Sequence, residues 1–135
     1  MKGATAVRPF QVAACLAGAV LLAALGQIAL KVGMREFGAL GGPGVSMVWN
    51  LLSAVTTPPI LLGLAMYGLG TCLWLVVIAP GGWALSYAYP MAAMGYVIVV
   101  ILSWAFLKEA VTPMQFFGVA LMCVGFLLVA RFGVK

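Results

Sequence analysis

SYAYPMAAMGYVIVVILSWAFL, residues 86–107, runs for 22 residues without a charged side chain. A helix rises about 1.5 Å per residue and a bilayer's hydrocarbon core is about 30 Å thick, so about 20 apolar residues cross it. This run is long enough. Three more long apolar runs surround it, at 10–32, 58–79 and 113–130, the first with Lys31 near its end. Membrane barrels alternate apolar and polar residues, whereas these runs are continuous. The chain is therefore predicted to be an all-α membrane protein, a single transmembrane domain over residues 1–135 with four spans.

Composition closes off other classes. Hydrophobic residues make up 66% of the chain and charged residues 7%, and a soluble protein of this size has no interior able to hide so much apolar surface. The first run is expected to persist as a span rather than serve as a signal peptide. It exceeds an h-region in length, Gln27 and Lys31 follow its core, and no small-residue cleavage pattern stands out. The net charge of +5 comes from Lys2, Arg8, Lys31, Arg35, Lys108, Arg131 and Lys135, at or near the segment ends. That pattern anchors a protein at lipid headgroups, and no basic cluster suggests nucleic acid. Cys15, Cys72 and Cys123 lie singly within apolar runs and read as small buried residues. With no His or Asp in the chain, neither a metal site nor a cofactor is expected. The two acids, Glu36 and Glu109, sit where hydrophobicity breaks, so no buried carboxylate is available to carry protons.

Helix boundaries carry local signals. Thr112-Pro113-Met114-Gln115 places Thr at N-cap, Pro at N1 and Gln at N3, a capping box opening the fourth span. Thr57-Pro58 is expected to do the same for the second. The connection from 33 to 57 begins with Gly38, Gly41, Gly42, Pro43 and Gly44, which break a helix. Val45, Val48, Leu52 and Val55 then recur at helical spacing, which predicts a short interfacial helix over about 45–56 with Trp49 at headgroup depth. With Ser86 as N-cap, Pro90 removes an early hydrogen bond, so the third span should begin late or bend in its first turn. Irregular backbone at membrane depth requires surrounding protein or a wet cavity, and Pro90 is thus a first pointer to a site. Gly118 and Gly125 lie seven apart on the fourth span, as do Gly63 and Gly70 on the second. Such small faces allow close helix approach, either within one bundle or as a dimer seam on the fourth helix.

Three stretches together resemble the drug/metabolite transporter superfamily in its four-helix form. They are Gly26-Gln27-Ile28-Ala29-Leu30-Lys31, Ser86-Tyr87-Ala88-Tyr89-Pro90 and Lys108-Glu109-Ala110-Val111-Thr112-Pro113. In order and spacing they are most similar to subunits that flip undecaprenyl-phosphate aminoarabinose across the bacterial inner membrane, and the likeness extends from Val12 onward. The small multidrug resistance family is also similar, through the stretch from Gly118 to Gly125. Its proton- and drug-binding glutamate would fall at Ala23, which can neither hold a cation nor titrate. The longer first connection departs from that family too, and Pro80-Gly81-Gly82-Trp83 departs from the flippase-like pattern.

The resemblance implies a groove for an anionic headgroup while the polyprenyl tail stays in lipid. Lys31 and Arg35, one turn apart, are its candidate phosphate ligands; by position alone they read first as snorkelling anchors. Gln27, one turn before Lys31 on the same face, extends a polar stripe inward or bonds a neighbouring helix. Tyr87 and Tyr89 either join the interfacial aromatic belt or bond a sugar or phosphate. Glu109 has several readings: an interfacial charge, support for the fourth helix N-terminus, an ion pair with Lys31 or Arg35, or a ligand for a sugar's amino group. The expected function is a flippase or small transporter of a polyprenyl-phosphate-linked sugar, acting without bond-making chemistry, as a homodimer or with a homologous subunit. The alternatives are a non-transporting membrane subunit of an envelope or lipid enzyme, and a drug exporter, which Ala23 disfavours. Both termini are expected in the cytoplasm, where Lys2, Arg8, Arg131 and Lys135 give four cations against three (Lys31, Arg35, Lys108) outside.

Overall fold

No water satisfies backbone N–H and C=O groups inside a bilayer, so an apolar run there closes its hydrogen bonds within itself. The computed structural model describes residues 8–40 and 44–133, and among these there is helix and no strand. The order is α1 (Pro9–Phe37), α2 (Val45–Val55), α3 (Pro58–Val77), α4 (Leu85–Ala92), α5 (Met94–Leu107) and α6 (Pro113–Phe132). Four spans result: α1, α3, α4 with α5, and α6. The protein is multi-pass, with the short apolar helix α2 between the first two spans.

The boundaries differ from expectation in instructive ways. α1 continues past Val32 to Phe37 and stops at Gly38, whose φ of 86° suits glycine. Its 29 residues extend about 43 Å, more than the hydrocarbon core is thick, and Lys31 and Arg35 lie in its last two turns. Gly41, Gly42 and Pro43 lie outside the described residues. The box at Thr112 forms as read: the Gln115 amide donates to Thr112 Oγ1 at 3.3 Å, and the Thr112 amide donates to Gln115 Oε1 at 2.7 Å. Thr57 caps α3 by backbone position only. Its hydroxyl turns back and donates to Ala54 O at 2.7 Å, tying α3 to the end of α2. α2 itself exposes Val45, Val48, Trp49 and Leu52, and Asn50 Nδ2 anchors it by donating to Leu40 O at 2.9 Å.

The third span neither starts late nor bends in its first turn. Ala84, not Ser86, is the N-cap, and the helix runs through Pro90 before breaking at Ala93. The Ala93 amide is shared between Tyr89 O at 3.1 Å and Pro90 O at 3.2 Å, and Tyr96 N bonds Ala93 O at 3.0 Å. The missing Pro90 N–H is thus relaxed one turn later, by a locally tightened turn.

Close packing of α1 on α3 organises the bundle. A Cβ placed on Gly63 would lie 2.8 Å from Gly26 O, one on Gly26 would lie 2.8 Å from Gly63 O, and one on Gly70 would lie 3.0 Å from Ala19 O. Ala19, Gly26 and Gly33 repeat every seven residues on α1 and face this seam, as Gly63 and Gly70 do on α3. The α3 glycines are therefore contacts within the bundle. At the end holding the α1 N-terminus, Val12, Leu16, Val77 and Ala88 form an apolar plug with Trp74, Ile78 and Trp83 against it. α6 meets the bundle through α4 and α5, and none of its described residues is buried. Among the described residues, nothing outside its own turn of α6 lies within 4 Å of a Cβ built on Gly118 or Gly125, so no described helix packs on that face.

Candidate functional site

Three levels follow one another along α1. Val12 and Leu16 belong to the plug, Ala19, Val20, Ala23, Ala24 and Gln27 line a cavity, and Lys31 and Arg35 form the far end. The cavity, of about 330 Å³, lies between α1, α3 and the broken third span. Small residues open it: Ala19, Ala23 and Ala24 on α1, Gly70 on α3, and Ala92, Ala93 and Gly95 around the helix break. Its polar groups come from Gln27, Tyr67, Thr71, Trp74, Tyr89 and Tyr96. None of the described lining residues is charged. Trp74 and Tyr89 meet edge to face, centroids 5.2 Å apart and planes at 79°, and so form a firm aromatic wall.

The sequence-predicted residues separate into three places. Gln27 and Tyr89 line the cavity. Gln27 makes no side-chain hydrogen bond to a neighbouring helix among the described residues, so its amide is available within the cavity. Lys31, Arg35 and Glu109 come together at the far end: Glu109 Oε1 is 3.4 Å from Lys31 Nζ and 3.0 Å from Arg35 Nη2. Arg35 Nη1 also donates to Leu107 O at 3.0 Å, capping the C-terminus of α5. Lys108 precedes the carboxylate in a left-handed conformation, φ 55° and ψ 33°, and the Glu109 amide bonds Ser103 O at 3.3 Å. That geometry turns Glu109 back toward α1. Tyr87 lies elsewhere. It is 3% exposed, packs edge-on to Trp83 with centroids 4.9 Å apart, and sits against Gly133 at the end of α6. Pro90 precedes the break that the cavity borders, while Gly118 and Gly125 lie on the outer face of α6.

Sequence reading passed over Tyr67, Thr71, Trp74 and Tyr96. A signal existed: Tyr67, Thr71 and Trp74 are spaced i, i+4, i+7 along one face of an otherwise aliphatic helix. Tyr89 and Tyr96, seven residues apart on either side of the break at Ala93, both line the cavity.

The structure thus joins a cavity lined by uncharged described residues to a multi-pass helical bundle, with two cations one and two turns beyond Gln27 on α1. No protein-family model matches the chain, and no solved structure does. Curated relatives do match. The probable 4-amino-4-deoxy-L-arabinose-phosphoundecaprenol flippase subunit ArnE of Pseudomonas savastanoi pv. phaseolicola is 34% identical over 119 residues, covering 86% of this chain and 94% of the relative. Its namesake in Pseudomonas syringae pv. syringae is 32% identical over 86% of this chain and 97% of its own length. That in Salmonella enteritidis is 31% identical over 82% and 88%. The chain belongs to this family of flippase subunits.

Proposed function

We propose that the protein translocates a polyprenyl-phosphate-linked sugar, of the aminoarabinose class in its relatives' names, across the bacterial inner membrane. The observation that carries this reading is the track on α1 from Gln27 inside the cavity to Lys31 and Arg35 at its end. Four residues of helix rise about 6 Å. A cation at the mouth and an amide one turn deeper are therefore spaced to meet the phosphate and the attached sugar of one headgroup. Aromatic faces such as Trp74 and Tyr89 suit a sugar ring, while the tail stays in lipid. The reading requires no covalent step. Its test is transbilayer movement of a labelled polyprenyl-phosphate sugar in proteoliposomes, against protein-free vesicles. No acceleration, either by the protein alone or with a homologous subunit, would favour a non-transporting membrane subunit instead.

One such bundle encloses little space, and the relatives are named as subunits, which supports assembly as a homodimer or with a homologous partner. The unpartnered α6 face supplies the proposed seam. Gly118→Leu and Gly125→Leu are expected to insert normally yet lose close association and activity. Native-sized assemblies of both variants, together with normal flipping, would move the seam elsewhere.

In the proposed orientation both termini are cytoplasmic, which places Lys31 and Arg35 at the periplasmic mouth. Labelling of single cysteines placed at each terminus, in a cysteine-free background, should report the same side. Termini on opposite sides would break the four-span topology.

A further inference from the structure

The cluster at the end of α1 is unbalanced. A single carboxylate oxygen, Glu109 Oε1, serves two cations, Lys31 at 3.4 Å and Arg35 at 3.0 Å. The side chains are 55%, 46% and 34% exposed for Lys31, Arg35 and Glu109, so these pairs are weak and exchangeable. A phosphate offers both cations more oxygens than one carboxylate atom, and it can meet a guanidinium in two parallel bonds. Yet Glu109 cannot diffuse away. The left-handed turn at Lys108 and the bond from the Glu109 amide to Ser103 O keep the carboxylate tethered beside the cations. A tethered competitor has a high effective concentration and returns whenever a bound anion loosens.

Resting on the proposed function, we infer that Glu109 is a built-in counter-anion: it occupies Lys31 and Arg35 in the unloaded protein, yields them to a phosphate-bearing headgroup, and drives that headgroup's release. A carboxylate that merely supported the fold or the cations would act with the opposite sign, because its loss would weaken phosphate binding.

The experiment measures undecaprenyl phosphate and, separately, inorganic phosphate binding to the full chain in lipid nanodiscs. Wild type, Glu109→Gln, Glu109→Asp and Lys31→Ala are compared. Glu109→Gln is expected to lower Kd about two- to fivefold, the range that loss of an exposed ion pair allows, through slower dissociation. Glu109→Asp keeps the charge and should stay near wild type. Tightening for the lipid alone identifies a membrane headgroup as the displacing anion, and tightening for both probes identifies phosphate exchange in general. Should Glu109→Gln misfold, Glu109→Ala carries the same expectation. Unchanged or weaker binding in a folded Glu109 variant, while Lys31→Ala still weakens it, overturns the competition and leaves the phosphate site standing. No binding of either probe by wild type overturns the site as well.

Discussion

Lys31→Ala is expected to weaken lipid-phosphate binding roughly ten- to a hundredfold, the equivalent of about 1.5–3 kcal/mol for a lost charge-assisted hydrogen bond. The fold should tolerate the change. Lys31 is 55% exposed, and its removal leaves Glu109 held by Arg35 at 3.0 Å, so no buried charge is orphaned. Lys31→Arg should retain part of the affinity, since the charge survives while the hydrogen-bond geometry changes. Gln27→Leu probes the next turn inward. It removes an amide that bonds no neighbouring helix among the described residues and makes the span more apolar, so insertion should not suffer. A fall in flipping by this variant would therefore point to the cavity rather than to folding. The measurement is the initial rate of lipid movement in liposomes at matched protein levels. Wild-type rates from both Lys31→Ala and Gln27→Leu would sink the assignment of the track.

Much of this arrangement is legible in the chain because it depends on local periodicity. Gln27 and Lys31 share a helix face by spacing alone. The meeting of Glu109 with Lys31 and Arg35 follows from counting spans, since the ends of the first and third lie on one side of the membrane. What is not legible depends on the rotation of each helix about its axis. Tyr87 and Tyr89 are two residues apart and so point to different sides of α4. A helix apolar all round gives no clue to which side is inward. Tyr89 reaches the cavity, whereas Tyr87 is buried against Trp83 and the end of α6. The same ambiguity hid Tyr67, Thr71 and Trp74 on α3, whose lining role depends on how that helix seats on α1. The repeat of Ala19, Gly26 and Gly33 fixes that seating. It has the same seven-residue spacing as the glycine pairs on the other helices, with Ala in place of one Gly, and runs through the stretch that carries the family resemblance.

The seam defined by that repeat leads to the second large effect. Glycine inside a helix is ordinarily about 0.5–1 kcal/mol less favourable than Ala, so Gly→Ala should stabilise a helix unless the added methyl meets something. At Gly63 it meets backbone on the facing helix, 2.8 Å from Gly26 O and 2.9 Å from Leu30 N, and also Leu30 Cγ at 2.8 Å. Backbone cannot rotate away as a flexible side chain can, so α1 and α3 must separate and forfeit dispersion contacts along the seam. Gly63→Ala is therefore expected to destabilise the protein by about 1–3 kcal/mol, as overpacking does elsewhere, and Gly63→Leu to prevent recovery of folded protein. Gly68 supplies the control on the same helix. Among the described residues, nothing beyond its own turn of α3 lies within 4 Å of a Cβ built there, so Gly68→Ala should be neutral or stabilising. Denaturant titration in detergent micelles, followed by tryptophan fluorescence, compares the two directly, and Trp74 reports from beside the cavity. Because Ala19, Ala23, Ala24 and Gly70 line that cavity close to the seam, a displaced α3 should also change its shape and slow flipping, even in a Gly63→Ala protein that remains folded. Equal stability of the Gly63→Ala and Gly68→Ala proteins would show that α1 and α3 do not pack this closely, and the cavity between them would then have to be redrawn.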